Sequence, residues 1–253
     1  MISLPMYLFP ENAEATAALG RAVAESLGRR GIRARWTEVP SAHKALVRHW
    51  KQPSLVLSQS CGLPLIEDLA AWVEPVGTLV WRGVTDAQGR YRSVVVARRD
   101  GWSGAVRPAV NGIHSLSGWA SLGVYLAGGG AVQPPLLTGS HAASVEAVHS
   151  RHADVAAIDG VTWSLLSRYG RTRGLTVVGQ GPVLPSLPLI TSRNGGIPVE
   201  TIRAAIGEAL GSSARQAKEA LGIECVLPQR WDDFATVPEL VRAAETVLPR
   251  RRA

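Results

Sequence analysis

Cysteine is almost absent from this 253-residue chain. Cys61 and Cys225 stand far apart, with no CxxC pair and no Cys/His spacing, which excludes a disulfide framework and a structural zinc; no metal or other cofactor is expected. No apolar run approaches the roughly 20 residues that a bilayer span requires, so direct membrane insertion is not expected. The opening MISLPMYLFPENAEATAALG has neither the basic start nor the long apolar middle of a secretory signal. A GxSxG elbow, a GxxxxGK[ST] loop and a GxGxxG fingerprint are missing too, which weakens the common α/β enzyme readings. What is present is a folding composition: 46% hydrophobic residues, 19% charged residues and 26 glycines. The formal charge is +7, and nearly all of the basic side chains are Arg. That excess favours acidic partners or small anions. The terminal Arg250, Arg251 and Arg252 read as a frayed end rather than a nucleic-acid arm, so no nucleic acid partner is expected.

Along the chain, Ile2 to Leu8 reads as a strand, and Leu19, Val23 and Leu27 at four-residue spacing mark a helix that stops at Gly31. Ile32, Ala34 and Trp36 alternate with polar residues as in a half-exposed strand. A helix over 42 to 50 and a buried strand at Leu55 to Leu57 complete a βαβαβ layout, the signature of a parallel sheet flanked by helices. Val76 to Trp81 and Tyr91 to Arg98 flank Asp86, Gln88 and Gly89 and predict a hairpin. Three strand-to-helix turns follow: Val106 to Asn111 into Ser117, Pro135 to Leu137 into His141, and Val155 to Ile158 into Val161. Leu175 to Val178 and Leu187 to Thr191 are further strands. From Val199 to Leu248 the pattern is helical apart from CVLPQRWDDF. Trp36, Trp72 and Trp119 fit apolar faces and are expected in the core; Trp81 and Trp163 lie near turns.

The chemistry concentrates in NGIHSLSGWA from Asn111 and TGSHAA from Thr138. Both place small hydroxyl residues where a strand becomes a helix. The first helical turn has unpaired N–H donors and a partial positive charge, so Ser115, Ser117 and the Gly118 N–H form a cradle for an anion. Gly118 lets the backbone approach closely. The same hydroxyls equally suit plain N-caps. His141, in a helix's opening turn, can hydrogen-bond an oxyanion or serve as an ordinary surface residue. Asp159 ends the strand VAAID at the edge where ligands gather in open α/β sheets; it suits a ligand's proton-bearing oxygen or ammonium group, and equally an N-cap. Cys61, before a helix start, has the setting of a reactive thiol, but no local base accompanies it.

In these pieces the chain resembles the phosphate, phosphite and phosphonate substrate-binding components of ABC transporters. The pieces are SLPMY, SQSCGLPL at 58 to 65, YRSVVVAR at 91 to 98, VNGIHSLSG, TGSHAASVEAVHSRHADVAAIDGVTWSLL and LTVVGQGPVLPSLPLIT. The resemblance implies an α/β, two-lobed type II periplasmic-binding-protein architecture with two hinge crossover strands, YRSVVV and LPSLPLI. It implies lobe I at 1-95 plus 189-253 and lobe II at 96-188. It further implies a solute-binding protein, not an enzyme, that clamps a small oxyanion, phosphate-like or phosphonate-like, by hinge closure, with an ABC transporter permease as partner. Carried over residue by residue, Ser115 and Ser117 grip the oxyanion with Asn111 and Gly118 in the same loop. His141 is directed at the ligand, Tyr7, Ser60 and Cys61 close from the first lobe, and Asp159 takes the ligand's amine or protonated oxygen. The periplasm is the implied compartment; with no export signal visible, the alternative is a cytoplasmic enzyme of small metabolites or a ligand sensor on the same fold. PVLPSLPLIT lacks the further acidic residue that several phosphonate binders carry there, which counts against an aminophosphonate.

Overall fold

The computed structural model describes residues 1–40 and 42–250, and Arg251 and Arg252 of the basic tail lie outside them. Contacts divide the chain into two compact units: Met1–Gly89 with Pro185–Phe234, and Arg90–Leu184 with the segment from Ala235. The chain therefore changes unit three times, after Gly89, Leu184 and Phe234.

In the first unit the helix Ala13–Gly28 buries Leu19, Val23 and Leu27, the stripe that their spacing predicts. It packs against the helix Val199–Gly211, whose buried Ile202, Ala205 and Ile206 recur at the same period. Gly20 is required there, because a Cβ would overlap the Trp36 ring. The four-stranded sheet runs Ser58–Gln59, Pro188–Ser192, Val73–Trp81, Ile223–Leu227, with antiparallel pairing throughout. The expected βαβαβ survives as single parallel bridges, Ile2 to Trp36 and Ile2 to Leu57.

Three expectations for this region are corrected. The predicted hairpin does not form: Val73–Trp81 pairs with Pro188–Ser192 and Ile223–Leu227, while Arg90–Arg98 belongs to the other sheet. Val73–Trp81 is buried at all but one residue, as befits a central strand with a neighbour on each side, which a hairpin alone cannot supply. Ile223–Leu227, read as helical up to Glu224 and as a connection from Cys225, is a strand. Trp72 is 45% exposed rather than core; the Lys51 ammonium sits 5.5 Å from its ring centroid, a cation–π contact open to water.

The second unit is built on a five-stranded sheet in the order Leu136–Leu137, Pro108–Val110, Val155–Ile158, Arg90–Arg98, Leu175–Pro185. The first three strands are mutually parallel, as strands joined by crossover helices must be. Arg90–Arg98 adds antiparallel to Val155–Ile158. At the entry ends, Asp154 ties the middle strands together: its N–H donates to the Arg107 carbonyl at 2.8 Å, and its carboxylate accepts the Arg107 N–H, Nε and Nη2 at 2.9, 3.1 and 2.7 Å.

The segment from Ala235, assigned with the first lobe from sequence, packs on the second unit instead. Its helix Val237–Glu245 lies against the helical stretch Leu116–Ala120 and Ser121–Leu126. Gly123 makes this possible, since a Cβ there would collide with the backbone of Ala244. The buried Trp119 indole donates to the Leu248 carbonyl at 2.9 Å, and the Arg250 guanidinium stacks 4.8 Å from the same ring.

Candidate functional site

Three of the second unit's parallel strands deliver their exits to one edge of the sheet. Val110, Leu137 and Ile158 end neighbouring strands, and at a strand spacing of about 4.8 Å those exits lie within roughly 10 Å. Each exit turns directly into a helix, so three helix starts, each with orphan N–H donors, face the same edge.

At the first start, Ser115 is the N-cap and its Oγ accepts the Gly118 N–H at 2.9 Å. The Ala120 N–H reaches back to the Ser115 carbonyl, a widened turn of the kind frequent at functional sites. Ser115 and Ser117 are 6% and 2% exposed. Gly118 admits no side chain, because a Cβ would overlap Asn111 Oδ1. That oxygen is buried and meets no hydrogen-bond donor.

The second start is clamped to the first strand: Thr138 N–H and Oγ1 both donate to the Val110 carbonyl, at 3.0 and 3.1 Å. Ser140 caps the helix His141–His149 through the Ala143 N–H. His141 then reaches across, and its Nε2 lies 2.9 Å from Ser117 Oγ. His141 keeps some surface exposed yet is closely surrounded by protein. Desolvation lowers its pKa below 6.5, opposed by the Asp159 charge and the Ala157 backbone; the imidazole is neutral at pH 7.

At the third start Asp159 is an N-cap, its Oδ1 accepting the Val161 and Thr162 N–H groups at 2.9 and 3.1 Å. Its Oδ2 accepts the Tyr91 hydroxyl at 2.7 Å. Tyr91 is the residue that the sequence did not single out. It lies 68 positions from Asp159 on an otherwise ordinary strand, and no local signal marks it.

Asn111, Ser115, Ser117, Gly118, His141 and Asp159 thus belong to one unit, and the Ser117–His141 bond joins two of its helix starts. Tyr7, Ser60 and Cys61 belong to the other unit. Tyr7 is buried edge-on against Trp81, ring centroids 5.0 Å apart. The Ser60 N–H donates to the Pro188 carbonyl at 3.0 Å. Cys61 is a half-buried thiol at the N-cap of the short helix Gly62–Pro64.

The arrangement offers hydroxyl and amide donors, a neutral imidazole and one carboxylate around the ends of three helix dipoles. Such a set suits a small anion that carries a proton or an amine of its own.

No family model and no curated protein matches the chain. Solved structures do. The chain has the α/β fold of the periplasmic solute-binding proteins. XAC2383 from Xanthomonas citri, solved bound to ATP, is 16% identical with a TM-score of 0.71, over 98% of this chain and 97% of that one. PhnD1 from Prochlorococcus marinus, in complex with methylphosphonate, is 15% identical with a TM-score of 0.72, over 95% and 97%. A binding protein component of an ABC phosphonate transporter from Pseudomonas aeruginosa is 14% identical with a TM-score of 0.68, over 97% and 87%. At these identities the likeness establishes the fold.

Proposed function

We propose that this protein is a solute-binding protein for ABC-type uptake and that its second unit holds a small oxyanion of the phosphate or phosphonate kind at the three helix starts. The observation that carries the reading is the 2.9 Å contact between Ser117 and His141, which joins donors from two helix starts on neighbouring parallel strands. In this reading Ser115, Ser117 and the adjoining amides bind oxyanion oxygens, and Asn111 Oδ1 and Asp159 receive the ligand's own donor. The partner is a permease and the compartment the periplasm. The methylphosphonate bound by PhnD1 supports the ligand class; the absence of a further acidic residue in the stretch 182–191 argues for ligands without an amine.

Titration calorimetry of the wild type and the Ser117→Ala/His141→Ala double variant, with inorganic phosphate and methylphosphonate, tests the assignment. Two hydrogen bonds to a charged ligand are worth about 3 kcal/mol or more together, so affinity should fall at least about 100-fold while circular dichroism stays unchanged. Equal affinity in both proteins would refute it.

Protonation supplies a second check. A bound anion favours imidazolium over imidazole, so saturating phosphate should raise the His141 titration midpoint, which in the free protein lies below 6.5. Binding is accordingly accompanied by proton uptake as the pH falls toward that midpoint. Histidine C2–H shifts followed by NMR with and without phosphate read this directly; a midpoint that stays put or moves down contradicts contact between His141 and the anion.

A further inference from the structure

Away from the helix starts, the first unit contains a buried hydrogen-bond chain with no part in the oxyanion reading. The Trp50 indole N–H donates to Ser58 Oγ at 3.1 Å. Ser58 Oγ and Ser3 Oγ are 2.8 Å apart, and Ser3 Oγ lies 2.8 Å from His49 Nε2. Trp50, Ser3 and Ser58 are 1%, 1% and 0% exposed, and His49 is half-buried. The two serines sit on adjacent segments, since Ile2 bridges Leu57 and the Ser3 N–H donates to the Leu57 carbonyl at 3.0 Å. His49 and Trp50 close the helix His43–Trp50. The chain therefore fastens a helix end to the sheet.

Counting protons orients it. An indole N–H only donates, so Ser58 Oγ is the acceptor there and must place its own proton elsewhere. If that proton goes to Ser3, the Ser3 proton goes to His49 Nε2, and the indole N–H and both hydroxyl protons have acceptors. In the reverse order, Nε2–H donates to Ser3 and Ser3 donates to Ser58. Ser58 Oγ then receives two donors, and its own buried proton has no acceptor along the chain, an arrangement that folded proteins avoid. We infer that the chain runs one way, from Trp50 through Ser58 and Ser3 to His49, holds His49 as the neutral imidazole with its proton on Nδ1, and so makes the first unit sensitive to acid.

The surrounding charges act in the same direction. Burial, and then the Met1 α-ammonium, lower the pKa of His49. That ammonium donates to the Ser54 carbonyl at 2.8 Å and is itself opposed by Arg35. Lys44 and Arg48, on the same helix, are exposed. With the folded-state pKa below the unfolded one, the unfolded chain takes up the proton first. The contribution to stability is complete above the ordinary histidine range and is lost as the pH falls below it. The strand Ser58–Gln59 leads directly into Ser60 and Cys61, so the loosening would be felt there first.

The test is long-range ¹H–¹⁵N NMR of the full chain, wild type against Ser3→Ala, a change of one oxygen atom. The expected results are the Nδ1–H tautomer of His49 in the wild type and a higher His49 titration midpoint in Ser3→Ala, because the lost hydroxyl stabilises the neutral ring. In the reverse order Ser3 would accept from Nε2–H, and its removal would lower the midpoint. An Nε2–H tautomer in the wild type, or a midpoint in Ser3→Ala that falls or does not move, overturns the inference.

Discussion

Replacing Asp154 by alanine is expected to lower the stability of the second unit by about 3 kcal/mol, because its buried carboxylate accepts charge-assisted hydrogen bonds from Arg107 and, at longer range, from Arg98, and all of them are lost together. Asp154 is 4% exposed. Its partners differ: the Arg107 side chain is 44% exposed, but that of Arg98 is only 10% exposed. Arg98 Nη1 also donates to the Val148 and Ala153 carbonyls, at 2.8 Å each, and its Nε lies 3.4 Å from Asp100 Oδ1, so it stays in place after the Asp154 carboxylate has gone. Arg107→Ala should cost less, since Asp154 then keeps the backbone N–H of residue 107 and Arg98. For a chain of this size, 3 kcal/mol corresponds to roughly 6–12 °C in the thermal midpoint, which differential scanning calorimetry resolves. Equal midpoints for the two variants would mean that the buried pair carries no special weight.

The same substitution has a pH signature and a functional one. Hydrogen bonds from Arg107, with lesser help from Arg98, hold the Asp154 carboxyl below its usual 3.8. Its stabilisation is present above that value and is lost as the pH falls through the lowered one, so the gap between wild type and Asp154→Ala should close only in strong acid. Asp154 and Arg107 also set the register in which Pro108 faces Val155 and Ala109 faces Ala156. Those strands end at Asn111 and Asp159. A register clamp at the entry ends thus positions the candidate ligand groups at the exits, and phosphate affinity should fall with stability although Asp154 is remote from the ligand.

How much of this was legible in the sequence depends on how local each feature is. The helix starts could be read because N-caps, turns and helix periods act over three or four residues: Ser115, Ser140 and Asp159 cap helices beside the positions where their neighbours predict a start. Strand partners could not. Val73–Trp81 is apolar along most of its length, so it announces burial on both faces but not which strands supply it, and sequence proximity alone nominates Arg90–Arg98 as its mate. Ile223–Leu227 interleaves Glu224 and Cys225 between apolar ends and stops at Pro228, which resembles a connection until its partner is known. The contacts that join the candidate site, Ser117 with His141 and Tyr91 with Asp159, span 24 and 68 residues. For the first, hydroxyl residues beside a helix start suggested a cradle; for the second, a tyrosine in a strand is only a good strand residue. Trp72 shows the limit of apolar spacing, since a ring with Lys51 above it is half covered without entering the core.

The C-terminal helix shows the same limit on a larger scale. Val237, Val241, Ala244 and Leu248 form a stripe that demands burial, and periodicity cannot say against what. The partner is the helical stretch that carries Ser115, Ser117 and Gly118, and Trp119 is the joint. Trp119→Ala is therefore expected to cost about 4 kcal/mol, the usual range for deleting a buried large aromatic side chain. The loss includes the hydrogen bond to Leu248 and the face on which Arg250 stacks. Trp119→Phe, which keeps most of the ring but not the N–H, should cost about 1–2 kcal/mol. Urea unfolding gives both values, and amide exchange over Val237–Glu245 locates them: the alanine variant should lose protection in that helix ahead of the sheet. Because Gly118 and Trp119 share one turn, a cavity beneath it also lets the Ser115–Gly118 cradle relax, so phosphate binding should weaken in the alanine variant and hold in the phenylalanine one. If exchange in the C-terminal helix is unchanged when the indole is removed, the helix is held by something other than this joint, and the cradle owes its shape to its own turn alone.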